Sequence, residues 1–106
     1  MIISGGSNVY PREIEEIILQ HPAVYEVAVI GVPDDRWGEA VKALVVPHAG
    51  RPLTEADVVE HCRRHLASYK KPQSVEVVAE LPKNAYGKIL KRELREPYWA
   101  GRARRV

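Results

Sequence analysis

Two stretches of this chain are rich in β-branched residues and nearly continuous in apolar character: Val24 to Val32 and Val41 to Pro47. A strand with one wet face alternates polar and apolar residues, whereas these runs leave little polar surface on either side. Two such strands need cover on both faces, and the simplest cover is a layer of helices. The intervening Pro33 to Glu39 carries Pro-Asp-Asp turn chemistry and reads as the loop between them.

The flanking segments supply those helices. Pro11 suits the first position of a helix, where its missing N–H would have no intrahelical acceptor anyway. Ile14, Ile17 and Ile18 recur at helical spacing, with Glu13, Glu15, Glu16 and Gln20 on the outer side and His21-Pro22 as the stop. A second helix begins after Thr54, whose hydroxyl can cap it while Asp57 reaches back; Leu53 and Val58 sit where a hydrophobic staple requires them. Its expected buried face is Val58, Val59, Cys62 and Leu66, and its expected end lies near Tyr69-Lys70-Lys71-Pro72. Val75 to Val78 reads as a further strand, and a short charged helix is expected from about Leu90 to Glu96. At the start, residues 1–3 read as a short strand and Ser4 to Asn8 as a glycine-rich loop. The expectation is an α+β domain over residues 1–98, a small mixed β-sheet flanked by about three helices, followed by a frayed basic tail at 99–106.

With 106 residues the chain forms one domain at most, too small for a large enzyme built around a deep cleft. Apolar content of 45% and charged content of 28% fit a soluble globular protein. The net charge is only +2, but it is unevenly placed. After residue 82, Lys83, Lys88, Lys91, Arg92, Arg95, Arg102, Arg104 and Arg105 face only Glu93 and Glu96. Such an end attracts phosphates, whether of nucleic acid, a nucleotide or a phosphorylated cofactor. The single cysteine, Cys62, excludes an intrachain disulfide and fits a reducing compartment. No stretch approaches the roughly 18 apolar residues that span a bilayer, and no charged-then-apolar leader is present, so a cytoplasmic location is expected. Met1-Ile2-Ile3 runs straight into Ser4-Gly5-Gly6-Ser7, like a strand cut at its beginning, which points to a piece of a longer chain.

Several groupings of side chains bear on chemistry. Gly87-Lys88, in Leu81-Pro82-Lys83-Asn84-Ala85-Tyr86-Gly87-Lys88-Ile89, sets a compact cation on a sharp bend, suited to an anion held on another surface. It is no Walker loop, since Pro82 replaces the first glycine and Ile89 the metal-binding hydroxyl. The Ser4 to Asn8 loop can cradle a phosphate or admit a thin ligand, or serve simply as a turn. His61 and His65 lie four apart with Cys62 beside them, but Cys62 points away and Arg63 and Arg64 disfavour a cation, so no metal site is expected. Trp37-Gly38 is either anchored to the domain's own core or offered to a partner. Tyr69-Lys70-Lys71 forms either a platform for a base and its phosphates or a helix end with favourable charges.

Four segments together resemble the small C-terminal domain of adenylate-forming acyl-CoA synthetases. They are residues 1–15, Gly-Val-Pro-Asp-Asp-Arg-Trp-Gly-Glu at 31–39, Tyr-Lys-Lys-Pro at 69–72 and the Leu81 to Ile89 motif, in order along almost the whole chain. The resemblance implies a mobile lid on a larger enzyme whose N-terminal domain holds ATP and a fatty or aromatic carboxylic acid. Lys88 matches the family's adenylation lysine. Gly5 and Gly6 match a loop bordering the pantetheine path, and Trp37, Tyr69 and Lys71 match positions that contact the CoA nucleotide in relatives that use CoA. ATP, CoA and Mg2+ are then expected with the full-length enzyme, Mg2+ being held by ATP and the other domain. Two positions depart from the family: Ser7 stands where many relatives have glutamate, and Tyr86 where serine or threonine usually precedes the glycine. The context of Lys88 also resembles that of a lysine acetylated in some relatives, which implies a lysine acetyltransferase as a partner. Two other readings remain open from the residues: a carrier-protein adenylation domain, and a small basic module that binds nucleic acid.

Overall fold

The computed structural model describes residues 1–67 and 71–100. In chain order the elements are β1 (Ile2–Ser4), β2 (Ser7–Val9), α1 (Pro11–Leu19), β3 (Val24–Asp34), β4 (Gly38–Pro47), α2 (Glu55–His65), β5 (Ser74–Val77) and α3 (Lys91–Trp99). The sheet follows the order β2-β1-β4-β3, and β5 pairs with β4. The β4–β5 pairing is parallel and the others are antiparallel, so the sheet is mixed.

The long hairpin of β3 and β4 is buried on both sides. Val27, Val29, Val41, Ala43 and Val45 join Ile14 and Ile18 of α1 and Val58 and Cys62 of α2 in one core. On the opposite face Ala28, Ile30, Leu44 and Val46 pack with Leu81, and Ile89, Leu94 and Tyr98 close over them. Alternate side chains of each strand therefore enter different cores, which is why the runs show no polar face.

Local chemistry sets the helix starts. Pro11 occupies the first turn of α1. At α2, the Thr54 hydroxyl accepts from the Asp57 N–H at 3.1 Å and the Asp57 carboxylate accepts from the Thr54 N–H at 2.9 Å. Leu53 and Val58 both pack in the adjoining core.

Several boundaries differ from expectation. The supposed loop at Ser4 to Asn8 is a hairpin: Ser4 pairs with Ser7, and Gly5 and Gly6 form the turn with φ of +56° and +83°. Left-handed backbone at both central residues matches the right-handed twist of the flanking strands. The Pro33 to Glu39 loop shrinks to Asp35, Arg36 and Trp37, because Asp34 pairs with Gly38. There the Asp34 carboxylate accepts the Arg36 and Trp37 N–H groups at 2.9 and 2.8 Å, and Gly38 takes up a φ of +82°.

Helix α2 ends at His65, since Leu66 is extended and turns onto the core. Val59 is 45% exposed, one position off the line joining Val58 and Cys62. Helix α3 continues past Glu96 and Pro97 to Trp99. Trp99, placed by expectation in the frayed tail, is buried, and its indole N–H donates to the Gly31 carbonyl at 2.7 Å. The arginines of 102–105 lie outside the described residues.

Candidate functional site

Lys88 sits on a small hairpin between β5 and α3. Lys83 and Ile89 form a β-bridge, and the Leu90 N–H donates to the Pro82 carbonyl at 2.8 Å. Asn84 organises the tip. Its side-chain oxygen accepts the Tyr86 and Lys88 N–H groups at 2.9 and 3.0 Å. Its backbone exchanges with Gly87 and Lys88, donating to the Lys88 carbonyl at 2.9 Å and accepting from the Gly87 N–H at 3.0 Å. Gly87, with a φ of +83°, supplies the bend. Asn84 had no assigned role in the sequence; an Asn three residues before a Gly, within a polar stretch, is the signal that identifies it.

The side chain that this turn presents is exposed and has no carboxylate partner among the described residues. Its neighbours differ. Lys83 pairs with Glu26 of β3 at 2.9 Å and Lys91 with Glu15 of α1 at 2.6 Å. Lys88 also borders an open groove of about 570 Å3 shared with Arg12, Glu15, Val27, Lys91 and Arg92. Tyr86, beside it, is 95% exposed.

The glycines expected near a thiol path lie elsewhere. The Gly5 N–H donates to the Trp37 carbonyl at 3.0 Å, which ties the β1–β2 turn to the β3–β4 turn. The Trp37 ring lies over Gly5, so a Cβ there would come within 2.4 Å of Trp37 Cε3. Gly6 has nothing within 4 Å of its missing Cβ and faces open space. Trp37 is thus anchored on Gly5 and yet 41% exposed, with the Arg36 guanidinium 5.3 Å from its ring centre. Behind it, Ile3, Gly38, Glu39 and Trp99 complete a shallow cleft of about 260 Å3.

Lys71 lies three residues before β5. The Gln73 N–H donates to the Val41 carbonyl at 2.8 Å, and the parallel β5 begins opposite Lys42 of β4. Tyr69 lies outside the described residues. Gly5, Gly6 and Trp37 therefore meet at one corner of the sheet, whereas Lys71 has its charge near Cys62 of α2. Lys88 lies away from them, beside Val27. Val27 and Asp34 are seven residues apart on β3, a rise of roughly 23 Å.

Two of the histidine rings bond to backbone groups. The His61 ring donates from Nε2 to the Ile17 carbonyl at 2.7 Å, and the His21 ring accepts the Ala23 N–H at 3.1 Å. Cys62 is buried in the core, and burial pushes its thiol up to about 11, with the Lys71 charge acting weakly the other way. Among the described residues no group of three His, Cys, Asp or Glu side chains is placed to hold a metal ion. No helix among them is long and apolar enough to cross a membrane.

Comparison with known proteins gives a consistent picture. Over 100 residues the chain is 52% identical to the long-chain-fatty-acid–CoA ligase FadD13 of Mycobacterium tuberculosis, covering 94% of this chain and 20% of that protein. It is 54% identical over 96 residues to a long-chain-fatty-acid–CoA ligase of Escherichia coli, covering 91% and 17%. Its fold matches ATP-bound MatB from Rhodopseudomonas palustris with a TM-score of 0.87 and 44% identity, covering 95% of this chain and 20% of that one. The chain therefore spans about a fifth of the length of the proteins it matches. The model of the AMP-binding enzyme C-terminal domain matches residues 13–88, which reach from the first turn of α1 to the exposed lysine, and the chain belongs to that family.

Proposed function

We propose that this domain serves an ATP-dependent acyl-CoA ligase, working on a fatty or aromatic carboxylic acid, and that it carries a different group to the reaction for each half. In the first half the acid's carboxylate oxygen attacks the α-phosphorus of ATP, pyrophosphate leaves, and an acyl-adenylate forms. Two anionic reactants meet in that step, and a positioned cation lowers the charge that develops between them. Lys88 carries this reading: it is an exposed cation on a hydrogen-bonded turn, and of the lysines at 83, 88 and 91 it alone lacks a carboxylate partner among the described residues.

In the second half the CoA sulfur attacks the acyl carbon and AMP departs with the bonding pair. Trp37 offers an aromatic surface for adenine, Lys71 a cation for phosphate, and Gly6 an open backbone past which a thin chain can run. Tyr69 completes this set as the second aromatic. Gly5 acts differently from Gly6, because the Trp37 ring already occupies its side face. Mg2+ travels with the ATP phosphates and is held by the rest of the enzyme. The similarity to proteins named as CoA ligases favours CoA over a carrier protein as the acceptor. The domain's working partners are then its own N-terminal domain, CoA and the acyl-adenylate, in the cytoplasm.

The test separates the halves. In the intact ligase, Lys88→Ala should slow ATP–pyrophosphate exchange by on the order of 10² or more. Thioester formation from supplied acyl-adenylate should persist. Equal loss of both halves refutes the assignment. Acetylation of Lys88 by a lysine acetyltransferase would remove the same charge and should reproduce the Lys88→Ala pattern. Intact-mass measurement of protein from native cells, with no modified Lys88 under any growth condition, refutes that regulation.

A further inference from the structure

We propose that Glu15 is a positioning residue for the Lys88 hairpin, and hence for the adenylation half-reaction; this rests on the role of Lys88 given above. Glu15 belongs by spacing to the outer side of α1, yet its side chain is only 15% exposed. One carboxylate oxygen, Oε2, does two things. It accepts the Val29 N–H at 2.8 Å, on the open edge of β3, and it pairs with Lys91 Nζ at 2.6 Å.

The first contact fixes the carboxylate to the backbone of the sheet, the most rigid reference available to it. The second ties the start of α3 to that point, three residues beyond Lys88. On the other stem of the hairpin, Lys83 is fastened to Glu26 of β3 at 2.9 Å. Two flanking lysines thus staple the hairpin to the body, and the third is presented. The groove around them holds Arg12, Lys88, Lys91 and Arg92, with Glu15 as the carboxylate among the lining residues. By pairing with Lys91, Glu15 removes from the groove one cation that would otherwise compete with Lys88 for an anion from outside. Loss of the Glu15 charge would release Lys91 as a competitor for the same phosphate and loosen the stem that aims Lys88.

Glu15→Gln keeps an oxygen for the Val29 N–H and removes the ion pair. In the intact ligase it should lower kcat for ATP–pyrophosphate exchange about tenfold, with KM for ATP changed less than about threefold and thioester formation unchanged. Lys91→Ala should show the same split, the double variant should be no worse than either single one, and Lys91→Arg should recover most of the loss. A purely structural role would depress both halves together. Lys88→Ala measured alongside separates the two ideas. If it selectively loses adenylation while Glu15→Gln and Lys91→Ala do not, the Glu15 proposal is overturned and the role of Lys88 stands. If Lys88→Ala shows no selective loss, the role of Lys88 falls, and this proposal with it.

Discussion

Replacing Gly5 by alanine tests the corner where two turns meet. Gly5 has a φ of +56°, so any L side chain there bears a left-handed strain of about 1–2 kcal/mol. Its new Cβ would also lie 2.4 Å from Trp37 Cε3 and 2.8 Å from Cζ3, closer than carbon atoms tolerate, so the indole must move. Forcing that shift costs about 1–3 kcal/mol in addition. Gly6 provides the control: its φ of +83° carries similar strain, but nothing lies within 4 Å of its missing Cβ. Gly5→Ala should therefore be less stable than Gly6→Ala by about 1–3 kcal/mol. With a urea slope of about 1.5 kcal/mol/M, that is a difference in midpoint of about 0.7–2 M. Truncating Trp37 to alanine removes the obstructing ring, and in that background the two glycine variants should become equal. Equal midpoints for the single variants, or a gap that persists without the indole, would refute this account of the corner.

Trp99→Phe keeps most of the buried ring but leaves the Gly31 carbonyl without its 2.7 Å donor. It should lower stability by about 1–3 kcal/mol in urea, and no change would mean that the indole N–H contributes nothing. The Cys62 thiol is raised from its ordinary value of 9.0 to about 11 by burial. A raised acid holds its full stabilising effect below the unfolded value, so stability from this group persists to about pH 9 and is lost as pH rises through about 11. Urea midpoints recorded from pH 8 to 11 should fall more steeply for the natural chain than for Cys62→Ala, and parallel curves would contradict the assignment.

Much of this domain was legible because its signals are local. The two β-branched runs, Pro11 at a helix start and the Thr54–Asp57 reciprocal cap all act within a few residues of themselves. What escaped depends on distant partners or very short elements. Strands of three residues on either side of Gly5-Gly6 are too short for alternation to show, so a hairpin looked like a loop. Val59 reads as core because it is apolar, though a helix turns about 100° between it and Val58. Helix α3 outran Pro97 because Tyr98 and Trp99 pack on the sheet, a gain invisible in the local pattern. The site was legible as a set of motifs, and its geometry was not. Glu15 looked like a solvated helix residue until β3 placed an unpaired edge against it, and the Trp37–Gly5 contact joins turns more than thirty positions apart.

The Val27 to Asp34 stretch of β3 keeps an uninterrupted register with β4 between the Lys88 groove and the Trp37 corner. A stiff beam of that kind behaves like a seesaw. For the proposed ligase, a pivot about the middle of this beam would lower one end into the catalytic chamber while lifting the other out, so the two tools would take turns. The order of the two halves would then follow from mechanics, because one end could not be seated while the other is.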